Sequence, residues 1–386
     1  MTSPTANTGA AALRVAVLGG SLGGLAAALA LRQAGHDVTV YERSEGTLHS
    51  RGAGIVIQGE VLQLLAGQGV DPSGLPGVMS RVRQYLGGDG RPVSEQYMPQ
   101  SQTSWEAIYL ALRGRLPEAQ YVPGHKHVGF EQRDSSVTVQ FENGRSTDVD
   151  FVVAADGHQS LARAQLLPSV APEYAGYVAW RGVVDEPELS EELVNVFHDR
   201  FSFFQMPHSH ILAYFIPGEA GAVEKGSRRL NWVWYVNVPA GESLDSLMLD
   251  RDGSRRRYAV SPGMLRDDVV QRQKEIAAAS LAPPFARLVN ATREPFVQGI
   301  YDLGVPKMAF GRVALVGDAA FIVRPHTAAS TAKAAADAMS LGNALTPRPV
   351  NLRPSLVAWE RRQMAMGQNL VEIGTSLGNR SQFGRD

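Results

Sequence analysis

Arg14-Val-Ala-Val-Leu-Gly-Gly-Ser-Leu-Gly-Gly-Leu25 is the stretch that decides the fold, and it continues into an Ala/Leu-rich run that ends at Gly35. Its apolar start is typical of a strand buried on both faces, the glycines indicate a turn, and residues 25–33 favour a helix. A second strand is predicted at 38–41, with Glu42 at its tip. The sequence therefore predicts a strand–turn–helix–strand unit.

This unit is suited to a dinucleotide. The N-terminus of a helix attracts a pyrophosphate through its amide groups and dipole, and small turn residues let the phosphate approach the backbone. Glu42 follows Gly24 at close to the spacing of about 20 residues at which an acid reaches a ribose diol. The usual second glycine, between Gly19 and Gly24, is Ser21. A glycine-rich turn that only packs a helix on a strand is the alternative.

Composition limits the class of protein. The chain has 386 residues, a net charge of −1 and no cysteine. The near-neutral charge gives no electrostatic basis for binding nucleic acid or an anionic membrane, and the missing cysteine excludes disulfides and Cys-based metal sites. No apolar run approaches the roughly 20 residues that span a bilayer. We expect a cytoplasmic protein without a membrane or nucleic-acid partner, and a disordered tail at residues 1–12.

Two patterns alternate along the rest of the chain. A β-hairpin is predicted around residues 87–90, and short strand-like runs between 174 and 238 predict an antiparallel sheet. We predict an α/β fold: a discontinuous Rossmann-like nucleotide-binding domain, an inserted, mostly antiparallel β-sheet substrate domain, and a long C-terminal helix. The predicted boundaries give residues 13–73, 101–172 and 284–386 to the first domain and residues 74–100 and 173–283 to the second.

Three separated motifs agree with this organisation: Gly19 to Gly24 with Glu42; Asp156-Gly-His-Gln-Ser-Leu-Ala-Arg163; and Gly317-Asp-Ala-Ala followed by Arg324-Pro-His326. Over nearly its whole length the chain resembles the single-component FAD-dependent aromatic hydroxylases of the p-hydroxybenzoate hydroxylase type. Stretches 174–182, 229–237 and 317–329 are similar to the pyridine-hydroxylating branch of that family. The chain departs from the usual pattern at Phe321, where a His is common, and at Ala328-Ala-Ser330, where Gly-Gln-Gly is common.

The resemblance implies a non-covalently bound FAD, with NADH or NADPH and O2 as co-substrates. It implies hydroxylation of an electron-rich ring through a flavin C4a-hydroperoxide. The FAD-binding domain would hold the cofactor with residues from the three motifs and nearby loops: Gly19, Ser21, Leu22, Gly24, Glu42, Arg43, Arg51, Asp156, Arg163, Gly317, Asp318, Pro325, Ala328, Ala329, Ser330 and Thr331.

His210, Leu212, Tyr214 and Ile216 share one face of a predicted strand in the substrate domain. A His and a Tyr among apolar neighbours suit a flat heterocycle with a polar edge, whereas a His bonded only to backbone is the alternative. The predicted catalytic residues are His210, Tyr214, Pro325 and His326. We expect Trp232 and Trp234 to pack in a core, and we predict no metal, because no third ligand accompanies the His pairs.

The predicted reaction is hydroxylation of a small hydroxylated aromatic, with a hydroxypyridine-type N-heterocycle as the favoured substrate. The alternatives are a flavin-dependent oxidase or dehydrogenase of the same fold, a hydroxylase of a larger phenolic or polyketide substrate, and a non-catalytic flavin-binding relative. The sequence leaves the oligomeric state open, with a homodimer as one option.

Overall fold

The structure is a computed structural model that describes residues 12–46, 54–346 and 351–385. Arg51 and residues 1–11 of the predicted tail lie outside the described residues. The strands are β1 (Arg14–Leu18), β2 (Asp37–Tyr41), β3 (Gly54–Val56), β4 (Val78–Leu86), β5 (Pro92–Ser104), β6 (Tyr121–Val122), β7 (His127–Gln132), β8 (Val137–Phe141), β9 (Ser146–Val149), β10 (Phe151–Ala154), β11 (Glu173–Asp185), β12 (Arg200–Met206), β13 (Ser209–Ile216), β14 (Arg229–Asn237), β15 (Ala259–Val260), β16 (Phe296–Gly304), β17 (Ala309–Phe310), β18 (Val313–Leu315) and β19 (Phe321–Ile322). The α-helices are α1 (Leu22–Gln33), α2 (Gly59–Gly67), α3 (Trp105–Arg113), α4 (Leu161–Leu166), α5 (Glu191–Phe197), α6 (Glu242–Leu247), α7 (Asp267–Ser280), α8 (Pro283–Ala291), α9 (Ser330–Ala344) and α10 (Leu352–Phe383).

Six strands form the smaller sheet, in the order β17-β18-β10-β1-β2-β6. The neighbours from β18 to β6 are parallel, and β17 pairs antiparallel with β18. Residues 15–18 and 151–154 are buried in a core that α1 and the three-stranded antiparallel sheet β7-β8-β9 also line, which explains their unbroken apolar runs. Three stretches distant in sequence thus form adjacent parallel strands, as the discontinuous Rossmann-like prediction requires.

The larger sheet has the order β15-β16-β11-β14-β13-β12-β4-β5-β3, with β19 also paired to β16. Its pairings are antiparallel except for β4 with β12. The outer face carries Trp232 and Trp234, which lie in a buried apolar cluster with Phe285 of α8. The core packing expected for the two tryptophans is confirmed. Together the two sheets confirm the predicted fold class.

The opposite, inner face of the larger sheet carries the alternate residues of β11, β13 and β14. Tyr177, Ala179, Val233 and Tyr235 form one buried cluster there. A second cluster contains Phe201, Tyr214 and Ile216, with Leu212 packed against both. The inner face therefore has the mixed aromatic and polar character that the sequence predicts for a substrate domain.

The observed sheet differs from the predicted boundaries. The strand at 296–304 pairs with β11, and the helix at 283–291 packs under the outer face, although the sequence assigns residues 284–386 to the nucleotide-binding domain. Residues 54–56 of β3 likewise join the larger sheet through β5. The predicted boundary at residue 284 falls inside α8, whose Phe285 and Leu288 belong to the core under the larger sheet.

α10 is the longest helix, with 32 residues. Its first turns bury Leu356 and Trp359 in the core of the smaller sheet, and its last turns reach the inner face of the larger sheet. Within the described ranges, no helix is long and apolar enough to cross a membrane.

Candidate active site

The first motif lies where β1 ends, in a turn that leaves no room for side chains. Gly19 adopts φ +106°, a conformation that favours glycine. A Cβ on Gly24 would lie 1.8 Å from the Gly19 carbonyl oxygen. Leu22 and Gly24 are buried in the first turn of α1. Because Ser21 makes no side-chain cap and that turn carries no acid, its backbone amides suit an anion.

Glu42, at the tip of β2, is only 5% exposed. Its carboxylate accepts the N–H of Gly20 at 2.7 Å and the N–H of Ser44 at 2.8 Å. These bonds aim the acid at the end of the sheet, where each oxygen retains a further lone pair. The ribose contact of Glu42 stays a prediction.

The second motif follows β10 and is joined to the third by Arg163. Asp156 Oδ2 lies 3.2 Å from His127 Nε2. Burial raises the pKa of the Asp156 carboxyl, but His127 and local N–H donors outweigh that effect, so the net pKa is lowered. The buried Arg163 guanidinium donates to the carbonyls of His158 at 2.8 Å and Ala319 at 3.1 Å. Arg163 thus ties two loops together, and its contact with a nucleotide stays a prediction.

The third motif rests on a buried ion pair. The N–H of Gly317 donates to Asp337 Oδ2 at 2.9 Å, and Lys333 Nζ donates to the same oxygen at 2.5 Å. Lys333 is 1% exposed and Asp337 is fully buried. This support fixes the turn that presents Asp318. Burial raises the pKa of Asp318 to about 6, which leaves the group mainly ionised at pH 7, so that it can accept hydrogen bonds from a polyhydroxyl chain.

A cavity of about 1280 Å³ runs along the ends of the parallel strands. It exceeds the roughly 300–1,000 Å³ of most small-molecule pockets, as an extended cofactor requires. Six residues predicted to bind the cofactor line it: Gly19, Ser21, Glu42, Arg43, Asp156 and Asp318. The glycine-rich turn and the two acids, Glu42 and Asp318, fit FAD. Glu42 would hold the ribose, the start of α1 the pyrophosphate, and Asp318 the ribityl hydroxyls.

Residues 325–331 follow the third motif and contact the inner face of the larger sheet through His326. Ala328 adopts φ 53° and ψ 19°, a left-handed conformation that costs an alanine about 1–2 kcal/mol. Its carbonyl accepts the Gln58 Nε2 donor at 3.0 Å. α9 begins at Ser330 without a side-chain cap. A ligand at this helix N-terminus would meet unshared amides from Ser330 and Thr331, but the flavin contacts predicted for Pro325 and residues 328–331 stay predictions.

His326 lies among rings of the inner face. Its Nε2 is 2.8 Å from the Tyr177 hydroxyl, and its ring centroid is 4.6 Å from that of Tyr235 and 5.5 Å from that of His210. Two of the predicted catalytic residues thus lie close together, although His210 is in β13 of the larger sheet and His326 follows the third motif. Pro325 immediately precedes this group.

The last turn of α10 orients His210. Gln382 Nε2 donates to Ser381 Oγ at 3.1 Å, and Ser381 Oγ lies 2.7 Å from His210 Nδ1. Since the serine hydroxyl accepts from Gln382, its own proton is free to donate to Nδ1. Gln382 Nε2 also lies 3.4 Å from Nδ1, and two donors facing Nδ1 favour the neutral tautomer with its proton on Nε2. In that tautomer His210 offers an N–H donor at Nε2 rather than a base.

Tyr214 occupies a different part of the inner face. Its ring stacks on Phe201 at 4.6 Å between centroids, and a Cβ on Gly54 would lie 2.5 Å from its ring. The shared strand face predicted for residues 210–216 is confirmed by the strand pairing. Leu212 separates Tyr214 from His210, so a role for Tyr214 in catalysis stays a prediction.

Both histidines are neutral at pH 7. Burial lowers the pKa of His210 from 6.5 to about 4, and burial together with the charges of His210 and Arg324 lowers that of His326 to about 3. Unfolding restores ordinary values, so between about pH 6.5 and 4 the unfolded chain binds protons that the folded chain does not. Each histidine thus contributes stability that is complete above pH 6.5 and is lost as the pH falls.

We expect this linkage to appear in His326→Asn. The destabilisation caused by the substitution should be about 2 kcal/mol smaller at about pH 5 than at about pH 7, because the wild-type histidine has by then lost that much of its contribution. Urea unfolding of both proteins at the two pH values measures the difference. An equal penalty at both would mean that His326 titrates normally in the folded protein.

Four residues of the site were missed by sequence reasoning: Tyr177, Lys333, Asp337 and Ser381. Lys333 and Asp337 have the i, i+4 spacing of a helical ion pair within an otherwise Ala-rich helix, which was a usable signal. Tyr177 lies inside the quoted stretch 174–182. Ser381 had no local signal, because its partner His210 is on another element.

Two family models match parts of the chain. A model described as FAD binding domain-like matches residues 174–302, which include β11 to β15 and most of β16. A model described as an NAD(P)-binding Rossmann-like domain matches residues 17–55, which include the glycine turn, α1 and β2.

Whole proteins are also similar. Over 372 residues the chain is 39% identical to 2,6-dihydroxypyridine 3-monooxygenase of Paenarthrobacter nicotinovorans, covering 96% of this chain and 92% of that one. The solved 2,6-dihydroxypyridine-3-hydroxylase of Arthrobacter nicotinovorans is 37% identical with a TM-score of 0.92, covering 97% and 94% of the two chains. Klebsiella pneumoniae HpxO, solved with FAD and uric acid, has a TM-score of 0.78 at 22% identity, covers 96% and 89%, and shares the fold.

Proposed function

The chain belongs to the FAD-dependent aromatic-ring monooxygenases, and from that premise we propose that it hydroxylates a small hydroxypyridine-type N-heterocycle, using NAD(P)H and O2. The observation that carries the substrate class is His210. It is a buried, neutral histidine whose Nδ1 is bonded to Ser381 and whose ring lies between aromatic neighbours on the inner face. A flat ring with a polar edge suits this environment.

The residues of the chain divide the work. Bound FAD supplies the oxygen chemistry once NAD(P)H has reduced it. Glu42, Asp318 and the N-terminus of α1 hold the cofactor, and the inner face holds and orients the ring to be hydroxylated. His210 Nε2–H would donate to a ring oxygen and so favour its ionised form, in which the carbon that is attacked is more electron-rich than in the neutral hydroxyl form. The buried aromatic surroundings exclude water from the reacting atoms.

A substrate panel tests the proposal. We expect 2,6-dihydroxypyridine or a close hydroxypyridine to give NAD(P)H oxidation matched by hydroxylated product, with little hydrogen peroxide. Phenols, larger polyketide-type phenols and non-hydroxylated rings serve as comparisons. Conversion without oxygen insertion would identify an oxidase or dehydrogenase instead. Turnover confined to a larger phenolic substrate would overturn the proposed substrate class.

The cofactor assignment predicts that Glu42→Ala and Asp318→Ala each weaken FAD binding by about 1–3 kcal/mol, because a hydrogen-bonded ligand group loses its partner. Fluorescence titration of FAD-depleted protein measures the affinity, and heat denaturation should release the FAD, since it is held non-covalently. Glu192→Ala, which removes an exposed acid paired with Arg287, is the matched control. Full flavin affinity in both variants would contradict the assignment.

A further inference from the structure

Arg181, in β11, is a cation on the inner face of the larger sheet. It lies in β11 opposite Val233 of β14 and Phe296 of β16. The alternation of β11 places it on the same face as Ala179 and Val183, between the clusters that contain Tyr235 and Tyr214. Its charge lowers the pKa of both of those tyrosine hydroxyls, against the larger effect of burial, so the guanidinium lies near both.

No carboxylate neutralises Arg181 among the described residues. Its Nε is buried without a hydrogen-bond partner, and none of the ion pairs of the described chain includes it. The side chain as a whole is partly exposed, whereas its Nε is a buried donor that has lost its hydration without gaining a partner among the described residues. Phe296, its cross-strand neighbour, and Val183, two residues along its strand, line the cofactor cavity. An unpaired cation thus adjoins the space that a ligand would enter.

Asn231 supplies a second unused donor. It is fully buried, and its Oδ1 accepts the N–H of Gly54 at 3.0 Å. That bond orients the amide and leaves Nδ2 without a partner among the described residues. Asn231 is opposite Val183 in the β11–β14 pairing, which makes it a diagonal neighbour of Arg181 on the same face.

We propose that Arg181 and Asn231 form an anion-binding subsite that takes a negatively charged ring oxygen, so that the substrate binds as its hydroxypyridinolate monoanion. The proposal deepens the proposed function and rests on it. His210 Nε2–H, one row along the sheet, is a third donor, and the three together recognise a ring that carries two oxygen functions. Proton loss from the ring precedes binding, so the chain needs no base at this position.

The experiment compares ligand binding to the FAD-loaded enzyme without NAD(P)H, followed by the change in flavin absorbance. The probes are 2,6-dihydroxypyridine, 2,6-dimethoxypyridine, which cannot ionise, and benzoate. The variants are Arg181→Met and Arg181→Lys, with Arg287→Met as the control for loss of a surface charge. Flavin content reports whether each variant folds.

We expect Arg181→Met to weaken binding of the dihydroxypyridine by about 10- to 150-fold, the range for a lost hydrogen bond to a charged group, with little change for the dimethoxy compound. Wild-type affinity should rise with pH through the ionisation of the ligand, and this rise should flatten in Arg181→Met. Arg181→Lys should recover much of the affinity, and Arg287→Met should match the wild type.

The outcomes separate the two proposals. Two results with Arg181→Met would overturn the subsite and leave the proposed function standing. One is unchanged affinity for the dihydroxypyridine, and the other is an equal loss of affinity for both pyridines. Binding of benzoate alone, lost in Arg181→Met, would support the subsite and overturn the proposed substrate class. Equal wild-type affinity for the two pyridines at all pH values would also overturn the subsite.

Discussion

His210→Asn should lower hydroxylation by about 10- to 150-fold while FAD stays bound, since it removes one hydrogen bond of about 1.5–3 kcal/mol to a charged ring oxygen. The reducing equivalents should appear as hydrogen peroxide, because a ring that is poorly oriented or less electron-rich no longer captures the oxygen atom. Product, NAD(P)H and peroxide measured together on the same sample give both the rate and the coupling.

His208→Asn is the matched control for that variant. His208 is an exposed residue in the turn between β12 and β13, and its φ of 60° is a conformation that asparagine tolerates well. This substitution should leave rate and coupling unchanged. If His210→Asn behaves in the same way, His210 is a structural residue bonded to Ser381, and the assignment of the substrate edge is wrong.

Lys333→Met should remove about 3–5 kcal/mol from the free energy of unfolding, because it leaves the carboxylate of Asp337 buried and unpaired. FAD affinity should fall as well, since Asp337 also binds the N–H of the Gly317 turn that presents Asp318. Chemical denaturation and FAD titration measure the two effects. Arg287→Met, at the exposed pair with Glu192, should change stability by less than about 1 kcal/mol.

The double variant Lys333→Met/Asp337→Leu separates stability from cofactor binding. Replacing both members of a buried pair with apolar residues removes the uncompensated charge, so most of the lost stability should return. FAD affinity should stay low, because Asp337→Leu leaves the Gly317 N–H without its acceptor. If Lys333→Met alone has nearly the wild-type free energy of unfolding, the Lys333–Asp337 pair contributes little to stability.

The sequence was most informative where strands of the smaller sheet end. Glu42 directly follows β2, and Asp318 comes three residues after the end of β18. Both strands are parallel members of the sheet, and the carboxyl ends of such strands meet at one edge. Strand periodicity likewise placed His210 and Tyr214 on one face. These predictions succeeded because they depend on local geometry and on one general rule of topology.

Contacts between distant elements could not be predicted in the same way. The bond from Ser381 to His210 depends on where α10 ends against the larger sheet, which no local pattern encodes. The domain boundary at residue 284 fell within a stretch whose helix and strand look alike in either domain. Arg181 was quoted within the stretch 174–182, yet its lack of an acidic partner became visible only with its neighbours in place.

The strand order of the smaller sheet bears on how the chain acquires its structure. Its central strand, β10, pairs with β1 on one side and with β18 on the other, and both partners are remote in sequence. Closing loops of that length delays pairing, so we expect slow folding for a chain of this size. During synthesis on the ribosome, the apolar edge of β10 must wait for residues 313–315 to emerge. That interval is when the nascent chain is most prone to aggregation, and it is where a chaperone would act.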